Sequence, residues 1–403
     1  MRRMKGAAGL LTALLLAFQL SAQTFALANE DNGIKVVPVN FTHNGYSYEI
    51  EGVAKSTDGD YQMKSPARLA ARKLPSTYDP RSSGEITTVK DQASTGACWA
   101  FSALACAEQD LIKKGLENPS AEFSVPALVL SSNSGTATGK DDFSSGGNWL
   151  FAASALANGQ GLCYEDYEPF LESGTENMIV SENKKSVSEY RLNYVMELSS
   201  TTQVKRKIME LGAVSASYFA GNGYMNHNNT AYYDPDASKN TIINHSVTVV
   251  GWDDNYSKDN FRYKPANNGA WLVKGSWGAD QDNDGFYWVS YDEAEFGQFC
   301  CYDFEESCDN TYHYSKMTGY VVNASNDGSV YGANVFTAKA DEKLDKAGFM
   351  YVGKTGSADY TLSVYTNVSD SDPIGVLETQ ISGSVSANGF YTVVFPEDIL
   401  LEE

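Results

Sequence analysis

The sequence predicts an α+β fold in which a helical segment is followed by a strand-rich segment and then by an antiparallel β-sandwich. Leucines and alanines recur with helical spacing from Cys98 to a glycine stop at Gly115. Strand patterning dominates later, beginning with the partly alternating run NHSVTVVGW at 244–252. After about residue 303, short alternating strands are separated by Asn and Gly, a spacing typical of a sandwich.

The length of the chain sets the number of domains it can form, and its net charge limits the kinds of partner it can bind. Its 403 residues are enough for two or three domains with cores of their own. The formal net charge is -21, and part of the positive charge lies in the first few residues. Such an acidic chain argues against nucleic acid as a partner and suits a protein that stays soluble outside a cell.

The N-terminus is typical of a secretory leader, which we expect to span 1–28. Three basic residues precede an apolar run, and Ala26-Leu27-Ala28 forms an A-x-A cleavage pattern. The apolar run is short for a stable membrane span, so a retained anchor is the less favoured alternative. Residues 29–73 are polar and mixed, and we interpret them as a short propeptide or an N-terminal strap.

Neither a metal site nor a cofactor is expected. The four histidines are not at metal-ligand spacing. Asp280, Asp282, Asp284 and Gly285 copy the start of a calcium loop, but Tyr291 stands where the closing glutamate belongs. A solvated turn is therefore the favoured interpretation of this segment.

The segment QASTGACWAFSALACAEQDLIKKG at 92–115 points to nucleophilic chemistry. Cys98 is predicted in the first turn of a helix, where the helix dipole favours a thiolate over a thiol. A lone cysteine in a helix is more often a small buried hydrophobe, and Cys106 fits that alternative. The residues around Cys98 decide between the two interpretations.

This segment resembles the active-site segment of papain-like cysteine proteases, in which a Gly-small-Cys-Trp-Ala-Phe-Ser run opens the helix. The resemblance implies that Cys98 is the nucleophile and that Gln92 donates to the oxyanion hole. It extends over 74–303, which we expect to be a two-lobed papain-like peptidase domain with a helical lobe and a β lobe.

The resemblance also identifies the other site residues. His245 opens the strand at 244–252 and is expected to be the general base. The family's Asn-Ser-Trp-Gly is Gly275-Ser276-Trp277-Gly here, so the residue that orients the imidazole is missing. A backbone carbonyl, the Ser276 hydroxyl or a water could take that role, and we expect a slower but active enzyme.

A glycine pair is expected to bind substrate. In the family, glycines at the place of Gly146 and Gly147 let a substrate backbone pair with the enzyme as an added strand. A side chain would block that approach. An ordinary loop remains the alternative for these residues.

Residues 304–403 resemble the lectin-like domain that follows the protease in clostridial-type cell-surface cysteine proteases. The segments ANVFTA at 333–338 and VYTN at 364–367 carry this resemblance. We expect a separate β-sandwich without chemistry, truncated after the last apolar strand, and a cell-surface glycan or wall component as its partner.

Together these observations predict a secreted cysteine endopeptidase that acts on protein or peptide substrates at or outside the cell surface. A different class remains open, because the missing Asn could mark a degenerate protease that only binds peptide or glycan. Retention of Cys98, His245 and Gln92 together argues against decay, since a protein that only binds has no need of all three.

Overall fold

The computed structural model describes the strand backbones at 13–21, 35–43 and 46–54 and, with gaps, residues 73–402. The gaps are 133–142, 144–145, 159–161, 168, 171–188, 222, 238–242, 280–281, 314–328, 354–355, 370–371 and 373. Within this part, the α+β fold with a C-terminal sandwich that the sequence predicts is confirmed.

Four α-helices are described, and the first three lie together at one side of the peptidase unit. They are α1 (Cys98–Lys114), α2 (Val125–Ser132), α3 (Trp149–Ala157) and α4 (Thr201–Leu211). Helix α1 is buried over most of its length and ends at Gly115, whose φ of 73° is left-handed. Glycine adopts that conformation at no steric cost, so the stop seen in the sequence is a true C-cap. The first three helices make the first lobe, whereas α4 packs into the core of the β lobe.

Sixteen strands are described, and all neighbours pair antiparallel except β7 with β10. The early strands are β1 (Ala13–Ser21), β2 (Lys35–His43), β3 (Tyr46–Ala54), β4 (Thr77–Tyr78), β5 (Tyr190–Glu197), β6 (Val214–Tyr218), β7 (Ala231–Tyr232) and β8 (His245–Asp253). The later strands are β9 (Ala270–Lys274), β10 (Phe286–Ser290), β11 (Gly297–Glu306), β12 (Ser329–Thr337), β13 (Glu342–Tyr351), β14 (Ala358–Thr366), β15 (Val376–Val385) and β16 (Gly389–Leu401).

One sheet of ten strands forms the second lobe and then continues into the C-terminal unit. Its order is β13-β16-β5-β11-β6-β8-β9-β10-β7, with β4 paired to β8. Two apolar cores flank the peptidase part of this sheet, one under α1 and one within the β lobe. The Ser102 hydroxyl on α1 donates to the Val247 carbonyl at 2.7 Å, so the helix that begins at Cys98 is fixed against the strand that begins at His245.

A second sheet, of order β12-β1-β14-β15, packs over β13 and β16 around a separate apolar core to give the sandwich. The segment at 13–21, which the sequence predicts to be part of a leader, forms the β1 backbone between β12 and β14. Within the described residues, strands β2 and β3 form a separate two-stranded sheet. The helices of the described part are all too short or too polar to cross a bilayer.

The sandwich and the peptidase unit are joined edge to edge by β16 and β5. Gly389 and Phe390 lie opposite Met196 and Val195 in this ladder. A Cβ at Gly389 would lie 2.0 Å from the Val195 carbonyl oxygen, so only glycine permits the approach. The two units therefore share one hydrogen-bonded sheet, which is a closer junction than a separate sandwich implies.

Replacing Gly389 by valine is expected to break this junction and to destabilise the protein by about 1–3 kcal/mol, the usual cost of forcing atoms into a packed site. Urea unfolding followed by fluorescence measures the loss. The control is Gly332→Val in β12, where an added Cβ meets nothing within 4 Å. Equal midpoints for the two variants would contradict the expectation.

Candidate active site

The thiol of Cys98 lies at the first residue of α1, on the floor of a cleft of about 510 Å³. Burial raises the pKa of this thiol, while N–H groups of Ser246 and Trp99 and the Ser246 hydroxyl act in the opposite direction. The helix N-terminus thus favours the thiolate as expected, but desolvation has the larger effect. The resting thiol is protonated and needs a base.

The base available in the cleft is His245, the first residue of β8. Trp277 stacks on its imidazole at 4.4 Å between centroids with an interplanar angle of 6°, and the Tyr218 ring approaches edge-on at 5.9 Å. Burial lowers the pKa of His245 to about 4, so the imidazole is neutral at physiological pH. Its Nε2 atom is buried and has no hydrogen-bond partner among the described residues.

The Gln92 side chain also lines the cleft, and it is held at both ends. Its Nε2 donates to the Thr95 carbonyl at 2.8 Å, and its Oε1 accepts from the Ser276 hydroxyl at 2.5 Å. An amide nitrogen carries two hydrogens, so one remains for an oxyanion. Ser276 therefore positions Gln92, and its oxygen does not accept a hydrogen bond from His245 Nε2 in the structure.

The predicted glycine pair also lines the cleft. Gly146 has a left-handed φ of 72° with open space where a side chain would be. A Cβ at Gly147 would lie 2.5 Å from the Trp99 indole. This part of the cleft is consequently bare backbone, as an added substrate strand requires.

Gly275 directly follows the last residue of β9 and stands where the family has the Asn that orients the imidazole. It has no side chain that could bond His245. An added Cβ would lie 3.1 Å from the Gly285 carbonyl and 3.4 Å from Cε1 of Tyr287. A cavity of about 20 Å³, large enough for one water, lies behind Gly275 beside Ser102 and Thr248. His245 does not line this cavity.

Behind the site, a buried charge cluster links α1 to β9. The Glu108 carboxylate accepts from the Thr87 hydroxyl at 2.8 Å and from Lys90 Nζ at 3.2 Å. Lys274 Nζ lies 3.9 Å from Glu108 and donates to the Thr87 hydroxyl at 2.6 Å. Burial lowers the pKa of Lys274 to about 8. This cluster anchors the residue that directly precedes Gly275.

Sequence reasoning missed three features of the site. Nothing in the sequence indicates that the Ser246 hydroxyl, which lies 3.0 Å from that of Ser217, belongs to the site. The Glu108–Lys274 cluster and the tyrosines beside His245 were not identified. A charged residue within the apolar face of a helix indicates a buried ion pair, and this pattern is visible in the sequence at Glu108. No local pattern marks Tyr218 or Tyr287.

Among the residues with described side chains, no group of three or more His, Cys, Asp or Glu is arranged to hold a metal. Asp280 of the calcium-like segment lies outside the described residues. Asn283 and Asp284 have left-handed φ values of 64° and 55° within the turn before β10.

Comparison with known proteins follows the same division of the chain. The model of the papain family cysteine proteases matches residues 74–309, and that of the lectin-like domain matches 311–403. Human cathepsin L2 is 26% identical over 224 residues, covering 55% of this chain and 62% of cathepsin L2. Mouse cathepsin K is 24% identical, with 53% and 59% covered. The chain thus spans about three fifths of these relatives.

Two solved structures of the clostridial cysteine protease Cwp84 resemble the whole arrangement. The form after propeptide cleavage has a TM-score of 0.65 and 26% identity, covering 80% of this chain and 82% of that one. The protease and lectin-like domains of Cwp84, a surface layer associated protein of Clostridium difficile, give 0.63 and 26%, covering 81% and 74%. The family model alone covers more than half of the chain. The chain belongs to the papain family of cysteine proteases.

Proposed function

We propose that the chain is a secreted cysteine endopeptidase that cleaves peptide bonds through a thioester acyl-enzyme. The observation that carries this proposal is the meeting of Cys98, His245 and Gln92 in one cleft, together with the bare backbone of Gly146 and Gly147. A thiol, a neutral base and an amide donor in one cleft suit acyl transfer to sulfur.

In the first half-reaction, the Cys98 sulfur attacks the scissile carbonyl while His245 accepts the thiol proton. The N–H of Cys98 and the remaining Nε2 hydrogen of Gln92 stabilise the oxyanion. His245 then protonates the leaving amine as the C–N bond breaks. Water, deprotonated by His245, attacks the thioester in the second half-reaction and releases the acid.

Location and processing are part of the proposal. The basic start, the apolar run and the A-x-A pattern before residue 29 support export with removal of 1–28. Residues 29–73 would then be a short propeptide or strap, and the related Cwp84 is known in a form after propeptide cleavage. Removal of the leader would also take β1 out of the sandwich sheet.

The role of the lectin-like unit in this proposal is to bind a partner, and it takes no part in the reaction. Its similarity to the lectin-like domain model supports binding of a cell-surface glycan or wall component. The relative Cwp84 is surface layer associated, which supports action at the cell surface. The substrate itself is protein or peptide.

The test is labelling of the full chain with an epoxide probe directed at active-site thiols, followed by peptide mapping and a hydrolysis assay. We expect the label on Cys98 alone, with parallel loss of hydrolysis of an unfolded protein substrate. Cys106, buried on the same helix, is the internal control. Absence of both labelling and hydrolysis would instead support the degenerate, binding-only homologue that the missing Asn makes plausible.

A further inference from the structure

Neither of the protein groups expected to orient His245, a backbone carbonyl or the Ser276 hydroxyl, bonds Nε2 of its imidazole in the described part of the structure. Its Nε2 lies buried without a hydrogen-bond partner among the described residues, so no described backbone carbonyl accepts from it. The Ser276 hydroxyl is engaged with Gln92. The water-sized cavity behind Gly275 is lined by other residues. A buried ring N–H without an acceptor costs free energy and leaves the tautomer undefined.

Two buried tyrosines lie close to the imidazole of His245, one in direct contact and the other bonded to the first. Tyr218 is directly opposite His245 in the β6–β8 ladder, and its ring contacts the imidazole edge-on. The Tyr218 and Tyr287 hydroxyl oxygens are 2.9 Å apart. Both side chains are almost fully buried. The hydroxyl pair therefore forms one polar group within the apolar core beneath His245.

Tyr287 lies next to the position that the orienting residue would occupy. Its Cε1 atom lies 3.4 Å from the position of an added Cβ at Gly275, an ordinary van der Waals distance. Its hydroxyl bonds that of Tyr218, whose ring contacts the imidazole of His245. The tyrosine pair therefore connects the base to the position from which the orienting residue is missing.

We propose that the Tyr287 hydroxyl, held by Tyr218, accepts a hydrogen bond from Nε2–H of His245 and so replaces the missing Asn as the positioning group. This inference rests on the proposed peptidase function. The bond is not formed in the free structure, and catalytic hydrogen bonds commonly tighten only when substrate is bound. With the proton held on Nε2, the imidazole Nδ1 is left to accept the Cys98 proton.

An acceptor from Tyr287 and an acceptor from an Asn at position 275 differ in the space they need as well as in their chemistry. An added Cβ at Gly275 would lie in van der Waals contact with the Tyr287 ring and 3.1 Å from the Gly285 carbonyl, so a larger residue at 275 has little free space beside the ring. A phenol oxygen, like an amide oxygen, has lone pairs for one N–H donor and can at the same time bond a second hydroxyl. Burial raises the pKa of both phenols, which keeps them neutral through the working pH range.

The experiment removes the hydroxyl and then restores an acceptor from the other position. Tyr287→Phe should lower kcat about 10-fold, part of what general-base catalysis contributes, with KM within about 2-fold. Gly275→Asn, added to Tyr287→Phe, should recover most of the lost kcat, because the Asn oxygen supplies an acceptor from the neighbouring position and removal of the phenol oxygen gives it room. Tyr302→Phe, at an equally buried tyrosine on β11, is the control and should leave kcat unchanged.

Two outcomes would overturn the proposal. A kcat for Tyr287→Phe within 2-fold of wild type excludes the role, and a loss that Gly275→Asn does not restore assigns Tyr287 to packing. If Tyr287→Phe does not fold, nitrogen NMR of His245 in the unmodified, inhibitor-bound chain decides, since the proposal requires the proton on Nε2. Wild-type protein that neither hydrolyses peptide nor labels at Cys98 would instead refute the proposed function.

Discussion

Replacing His245 by alanine is expected to reduce kcat for peptide hydrolysis by about 10²–10⁴-fold, the usual contribution of a positioned base. Because burial raises the pKa of the Cys98 thiol, little thiolate exists at neutral pH without a proton acceptor. Steady-state hydrolysis of a fluorogenic peptide, normalised to the concentration of folded enzyme, measures the loss. KM should change much less, since the imidazole acts on the proton and not on the bound substrate.

The exposed His227 provides the matched control, and His227→Ala should retain full activity. The pH profile gives an independent check of the same role. Since the pKa of His245 is about 4, wild-type kcat/KM should rise with pH through about 4 as the imidazole becomes able to accept a proton. An acid limb near 6.5, the value of an ordinary histidine, would contradict the burial argument.

Replacing Glu108 by alanine is expected to reduce the free energy of unfolding by about 3–5 kcal/mol, the typical cost of removing one partner from a buried ion pair. Glu108 is buried on α1 and accepts hydrogen bonds from Thr87, Lys90 and the Phe123 N–H. Its loss leaves the ammonium of Lys274 buried without a carboxylate. Urea unfolding at pH 7 measures the change.

The control is Glu85→Ala, which removes the exposed ion pair with Lys113 and should cost less than about 1 kcal/mol. The deficit of Glu108→Ala should shrink as pH rises. Burial lowers the pKa of Lys274 below its unfolded value of 10.5 and the Glu108 charge raises it, so the pKa falls further in the variant. The variant therefore gains more stability than the wild type as pH rises toward 10.5, because its folded state binds fewer protons over a wider range. A deficit below about 1 kcal/mol at pH 7 would show that the cluster is not a stabilising pair.

Local signals predicted much of the site, because its residues lie at the ends of regular elements. Cys98 begins α1 and His245 begins β8, and both boundaries follow from periodicity and flanking residues. The family model and the Cwp84 structures confirm the papain-like fold.

Other features depend on contacts between distant segments and left no local pattern. Tyr218 and Tyr287 are 69 residues apart, and their hydroxyls meet only after β6 and β10 enter the same lobe. The pKa of Cys98 depends on how deeply the cleft is buried, which a helix position alone does not determine. Similarly, the approach of Gly389 to Val195 joins two units that composition suggested were separate.

The shared sheet fixes the distance and direction between the lectin-like unit and the cleft that contains Cys98. A flexible tether would let the cleft sample many distances from a captured glycan, with an effective concentration that falls as the tether lengthens. A continuous ladder through β5 and β16, reinforced by Lys346 at 2.8 Å from Glu305, allows one distance and one direction. On the proposal that the lectin-like unit binds a surface glycan, the peptide bonds within reach of the cleft are those at a fixed distance from the bound glycan. Selectivity would then depend on geometry across the surface as well as on the sequence at the cleavage site.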